Sequence, residues 1–112
     1  MSEPEFVRVL SLGELDRGEM RAVQVGSREI LLCRTRDGVF ALDNFCTHAR
    51  QRMDEGELRR SKLICPLHGA VFDVRTGAVL SGPAILSLRT YPVRLVGESI
   101  EVQLPAAAGS AR

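Results

Sequence analysis

Both histidines and two of the three cysteines of this 112-residue chain fall in two short segments. The first reads Cys46-Thr47-His48, and the second reads Cys65-Pro66-Leu67-His68-Gly69. The pattern is C-x-H, then 16 residues, then C-x-x-H-G. Thiolate and imidazole are the side chains that bind borderline and soft metals. A single tetrahedral zinc would accept this set of four. Familiar zinc spacings, however, pair Cys with Cys and His with His. Here each segment supplies one sulfur and one nitrogen, in the same order. That mixed order suits a centre of two metals, with the thiolates on one and the imidazoles on the other.

The elements that must position these residues read as strands. Met20 to Val25 ends in Gly26-Ser27, and Ile30 to Thr35 follows, which is a hairpin signal. Asp37-Gly38 turns the chain into Val39 to Leu42. Leu63-Ile64, Val71 to Val74 and Ala78 to Leu80 are short apolar runs, the last two separated by Thr76-Gly77. Leu88 to Val96 and Ile100 to Leu104 are joined at Gly97-Glu98. Turn signals every 8–12 residues predict an all-β antiparallel sandwich or barrel. Leu12 to Arg17 offers a weak helical turn or a capped loop. The stretch 43–83 carries all the candidate ligands and reads as a subdomain inserted into that β base. The tail 105–112 has nothing to bury and is expected to be disordered.

Composition narrows the function classes. A chain of 12.3 kDa forms one domain. Apolar residues are 45% and charged residues 26%, an ordinary globular balance. Lys+Arg is 15 and Asp+Glu is 14, so no basic excess marks a nucleic-acid partner. No apolar run approaches the roughly 20 residues of a membrane span. The acidic start, Met1 to Glu5, does not resemble a signal peptide, and the expected location is the cytoplasm. Cys33 lies in the apolar run Ile30-Leu31-Leu32-Cys33 and reads as a small buried hydrophobe.

The second segment continues Ala70-Val71-Phe72-Asp73-Val74-Arg75-Thr76-Gly77. It is similar to the C-P-x-H-G-x-x-F-D-x-x-T-G pattern of Rieske 2Fe–2S proteins, and the chain resembles their soluble ferredoxin type. Gly82-Pro83-Ala84 resembles the proline loop that covers the cluster, and Tyr91-Pro92-Val93 the return to the base sheet. Met53, Gly56 and Leu58 fit the family's L-x-x-G-x-L spacing. Arg50 stands where many members have Gly.

The resemblance implies a 2Fe–2S cluster held by Cys46, His48, Cys65 and His68. It also implies that Thr47, Leu67, Gly69 and Ala70 flank the cluster, with backbone N–H groups near its sulfurs. Gly69 is expected to permit close backbone approach and Pro83 to stiffen the covering loop. Neutral imidazoles in place of two thiolates make the site less negative. The added electron is then easier to accept, and the potential exceeds that of an all-Cys cluster. High-potential relatives carry an extra Cys and a Ser where this chain has Leu67 and Ala70, which places it at the low end, near roughly −150 mV.

The partners implied are a flavin-dependent reductase and a terminal aromatic-ring oxygenase, with transient docking near His48 and His68. The alternative is a small subunit of an enzyme complex such as a siroheme nitrite reductase. An oxygenase catalytic site would need two further histidines, and none remains, so an electron carrier rather than an enzyme is expected. Fourteen of the basic residues are Arg. Arg50 and Arg52 either rim the cluster and meet acidic partners or belong, with Arg59, Arg60 and Lys62, to a mixed solvated surface. Asp54-Glu55 reads as a solvated charged pair.

Overall fold

In the computed structural model, residues 5–46, 51–66, 69–82 and 86–105 are described, and within them every strand pairing is antiparallel. One sheet has the order β1-β11-β10, from Phe6–Ser11, Ser99–Gln103 and Val93–Val96. A second runs β2-β3-β4-β9, from Met20–Val25, Arg28–Thr35, Gly38–Asp43 and Thr90–Tyr91. The third runs β5-β6-β7-β8, from Glu57–Arg59, Lys62–Ile64, Val71–Asp73 and Val79–Ser81. The fold is all-β and sandwich-like. No helix among the described residues is long and apolar enough to cross a membrane.

The central sheet is covered on both faces, and β3 explains how. Ile30 and Leu32 join a buried cluster with Leu10, Ala41, Tyr91, Ile100 and Val102, between the first two sheets. Leu31 and Cys33 point the other way, into a cluster with Leu42, Leu63, Phe72 and Val74 that lies under the third sheet. A strand that alternates into two cores must be apolar at every position, which is why Ile-Leu-Leu-Cys is unbroken. Cys33 is fully buried, and burial pushes its thiol up to about 12. It packs as a small hydrophobe.

Several boundaries differ from the sequence reading. Leu88 to Val96 is not one strand. Pro92 has no N–H to donate, and the chain changes sheets there: β9 pairs with β4, and β10 pairs with β11. Leu88 instead drops its side chain into the core beneath the third sheet and donates its N–H to Gly77 O at 2.8 Å. Strands β1 and β5 go beyond the expected set. The segment after β1 is a single 3-10 turn, Leu12–Glu14, whose Glu14 carboxylate accepts the Ser11 N–H at 2.9 Å.

The core role of Cys33 is testable. Cys33→Ala should lower stability by only about 1 kcal/mol, the loss of one buried atom and a small void. Peptide mapping after alkylation of the folded protein should leave Cys33 unmodified; rapid native-state labelling would contradict its place in the core.

Candidate functional site

Strand alternation aims both cysteines inward. Along β4 and just beyond it, Phe40, Leu42 and Cys46 share one parity and one core. Along β6, Leu63 and Cys65 do the same. Cys46 and Cys65 therefore meet in a single buried cluster, 5% and 1% exposed, and both are thiols outside any disulfide.

Each cysteine is also the last rung of an antiparallel ladder. The β6–β7 pairing ends at Ile64 and Val71, and Cys65 N–H then donates to Ala70 O at 2.8 Å. In the first segment, Met53 N–H donates to Asn44 O at 2.6 Å, and Phe45 bridges Arg52. Cys46 N–H then donates to Gln51 O at 3.0 Å. In both segments the cysteine's own N–H thus donates to the residue five positions on, and four residues, 47–50 and 66–69, lie between the two. Ala70 is fully buried and closes the second loop. Gly69 takes φ +73, a conformation that strongly favours glycine, and among the described residues nothing lies within 4 Å of a Cβ built there. That conformation is a reason for glycine here in addition to the backbone approach to the cluster that the resemblance implies. Thr47, His48, Leu67, His68 and Pro83 lie outside the described residues, as does Arg50.

Close approach to other parts of the chain occurs at Gly56, between the two loops. A Cβ there would sit 2.1 Å from Ile64 O and 3.0 Å from the Pro66 ring. The 3-10 turn Met53–Glu55 that follows the first loop therefore rests directly on the backbone entering the second.

The end of β4 is anchored on both sides. Asp43 accepts a short hydrogen bond from the Tyr91 hydroxyl, which itself accepts from Arg28 Nη1 at 3.1 Å. Burial and the Asp43 carboxylate push that hydroxyl up to about 12, so it stays a donor at neutral pH. The next residue, Asn44, is fully buried. Its Nδ2 donates to Glu29 Oε2 at 3.1 Å and to Asp54 Oδ1 at 2.9 Å, and its Oδ1 accepts Asp54 N–H at 3.0 Å. Arg52 closes the group, 2.5 Å from Glu29 and 3.1 Å from Asp54. Burial alone would raise the Asp54 pKa. The hydrogen bonds from Asn44 and Arg52, with the Arg52 charge, override it and hold the carboxyl below its usual range.

These contacts correct one expectation: Asp54 is a structural acceptor rather than a solvated charge. Arg52 is tied to Glu29 and Asp54, as a residue of a mixed charged surface would be. Asn44 carries no motif. Its signal was a polar side chain at an inward parity position, after Phe40 and Leu42.

The donor chemistry fits a cluster at its sulfur end. Two buried thiols converge, each at the start of a segment that also carries a histidine in the sequence. Cys46 and Cys65 would hold one iron of a 2Fe–2S cluster there. Both histidines fall outside the described residues, among which no three His, Cys, Asp or Glu gather.

The Rieske [2Fe-2S] domain family model matches residues 5–92. The chain is 34% identical over 100 residues to the ferredoxin component of a naphthalene 1,2-dioxygenase system from Pseudomonas aeruginosa, covering 89% of this chain and 96% of that protein. Among solved structures, it is similar to the ferredoxin of carbazole 1,9a-dioxygenase from Nocardioides aromaticivorans IC177. The TM-score is 0.83 and the identity 38%, over 94% of this chain and 100% of that one. It is also similar, at TM-score 0.83 and 28% identity, to a chain in a complex of reduced oxygenase and oxidized ferredoxin in carbazole 1,9a-dioxygenase. That match covers 88% of this chain and 92% of the other.

Asn44→Asp places a carboxylate between two others. It should lower stability by about 3 kcal/mol and reduce the iron retained per chain, read by denaturation and iron content. Asp54 adds a pH dependence. Its folded pKa is depressed, so its contribution is complete above the unfolded value of about 4 and is withdrawn as pH falls through the folded pKa. The Tm difference between wild type and Asp54→Asn should be largest near neutral pH and shrink as pH falls below about 4.

Proposed function

The chain belongs to the Rieske [2Fe-2S] domain family, and from that premise we propose that it is a one-electron carrier between a flavin-dependent reductase and a terminal oxygenase that hydroxylates aromatic rings. The observation that carries this reading is the convergence of Cys46 and Cys65 in one buried cluster at the ends of two ladders. Dioxygenase ferredoxins similar over nearly their whole length support the choice of partners.

Cys46 and Cys65 would hold one iron of the cluster, and His48 and His68 would hold the other. When bound, the cluster supplies reversible one-electron chemistry. The chain's own residues do the rest. Leu42, Met53, Leu63 and Phe72 keep water from the thiols, and all are fully buried. The ladder bonds fix where each cysteine emerges, and Asn44 and Gly56 lock the loops to the sheets and to each other. As the family resemblance implies, Thr47, Leu67, Gly69 and Ala70 would offer backbone N–H groups to the cluster, Pro83 would stiffen the segment that covers it, and partners would dock near His48 and His68. The protein works in the cytoplasm as a redox component, and substrate chemistry belongs to the oxygenase.

Reconstitution tests the role. The protein is mixed with candidate reductases and ring-hydroxylating oxygenases, and product formation from NADH is followed. Turnover should depend on this protein and be lost with His48→Ala; product formed equally well without it would reject the carrier. The midpoint potential should lie near roughly −150 mV, and a value well above zero by redox titration would reject the low-potential assignment.

A further inference from the structure

The third sheet has two faces, and only one is accounted for. Leu58, Leu63, Phe72 and Val79 face the core that surrounds the two thiols. The opposite parity turns Lys62, Ile64 and Val71 outward. With Arg59, Arg60 and Leu80, these residues line an open groove of about 680 Å³. Its floor is apolar: Ile64 and Val71 are a register pair, and Leu80 is 50% exposed. Its rim is basic. Arg59 is paired with Glu57 at 2.7 Å, whereas Arg60 and Lys62 have no carboxylate partner among the described residues. Arg60 sits in the β5–β6 turn at φ 57, a conformation relaxed for Gly or Asn rather than for a long cation.

We propose that this groove docks an acidic surface of the terminal oxygenase, with an apolar side chain of that partner seated on Ile64, Val71 and Leu80. The proposal rests on the carrier reading. Charge complementarity selects the partner's chemistry: two unneutralised cations over an apolar floor fit carboxylates around an apolar contact. Position supports the assignment. Ile64 and Val71 form the rung next to Cys65 and Ala70, so the floor of the groove runs straight into the second loop. At about 3.4 Å per residue, Lys62 lies about 10 Å along the strand from Cys65, within the footprint of a small transient interface centred on the loops. Arg52, held by Glu29 and Asp54, is poorly placed for that task.

The test uses cluster-loaded protein, the reductase, and whichever oxygenase of the reconstitution panel turns over fastest with the wild type. Arg60→Glu with Lys62→Glu should raise the protein concentration giving half-maximal oxygenase turnover roughly ten-fold at low ionic strength. That gap should close as salt is added. Direct reduction by the reductase and the visible spectrum should stay unchanged. Leu80→Ser should weaken the same titration at every salt concentration. Arg17→Glu with Arg36→Glu makes the same change in net charge on exposed turns of the central sheet and should leave the titration unaltered. The groove is rejected if the Arg60/Lys62 variant titrates like wild type, if the Arg17/Arg36 control is equally impaired, or if the defect lies in reduction by the reductase. If wild type itself supports no oxygenase turnover, the carrier reading falls, and the assignment of this partner falls with it.

Discussion

A slip of one residue in either of two short ladders would turn a cysteine from the shared core to the solvent. Side chains alternate with a period of two, so register and facing are one constraint. Cys65 keeps the inward parity of Leu63, and Cys46 that of Phe40 and Leu42. The rest of the site depends on these two registers. Each is held by the backbone bond that closes the loop, Cys65 to Ala70 and Cys46 to Gln51. The bonds belong to ladders, so the sheets fix where the chain leaves and re-enters them at Cys46 and Gln51 and at Cys65 and Ala70.

The two registers are not equally easy to hold. The second continues a regular hairpin, with three paired rungs before it. The first has only the isolated bridge between Phe45 and Arg52. Asn44 supplies what the missing strand would have. Its amide meets Glu29 on the central sheet and Asp54 in the turn, and its backbone adds bonds to Glu29 and Met53. A buried amide with all its groups satisfied fixes one geometry, because any other leaves polar atoms dry and without partners. Gly56 completes the arrangement by letting the turn touch the backbone at Ile64. The two loops are thereby set relative to each other by protein atoms.

Charge is distributed on a different principle. The chain is rich in arginine, yet Arg52, Arg59, Arg75 and Arg94 are each engaged by a nearby carboxylate. Such pairs shape the surface more than they stabilise the fold, since exposed ion pairs contribute little. Their consequence is selective neutralisation. Arg17, Arg21, Arg36 and Arg89 also lack a carboxylate partner among the described residues, so Arg60 and Lys62 stand out through their place on the rim of an apolar groove.

Much of the site is legible in the chain itself. The spacing of Cys46, His48, Cys65 and His68, the turns at Gly26-Ser27 and Asp37-Gly38, and the doubly buried run at Ile30 follow from local chemistry and from periods of two. The sequence alone was enough to place the thiols on loops between strands and to make the fold all-β. It did not reveal that Pro92 marks a change of sheet, that Asn44 holds the first loop, that Asp54 is structural, or that Gly56 lies against the backbone at Ile64. Each of those depends on a partner distant along the chain: β4 and β11 for the two sides of Pro92, Glu29 for Asn44, Ile64 for Gly56. Local propensity and spacing act over a few residues, whereas these contacts exist only once the sheets have stacked. Stacking decides which polar groups are buried together and which cations are left facing water.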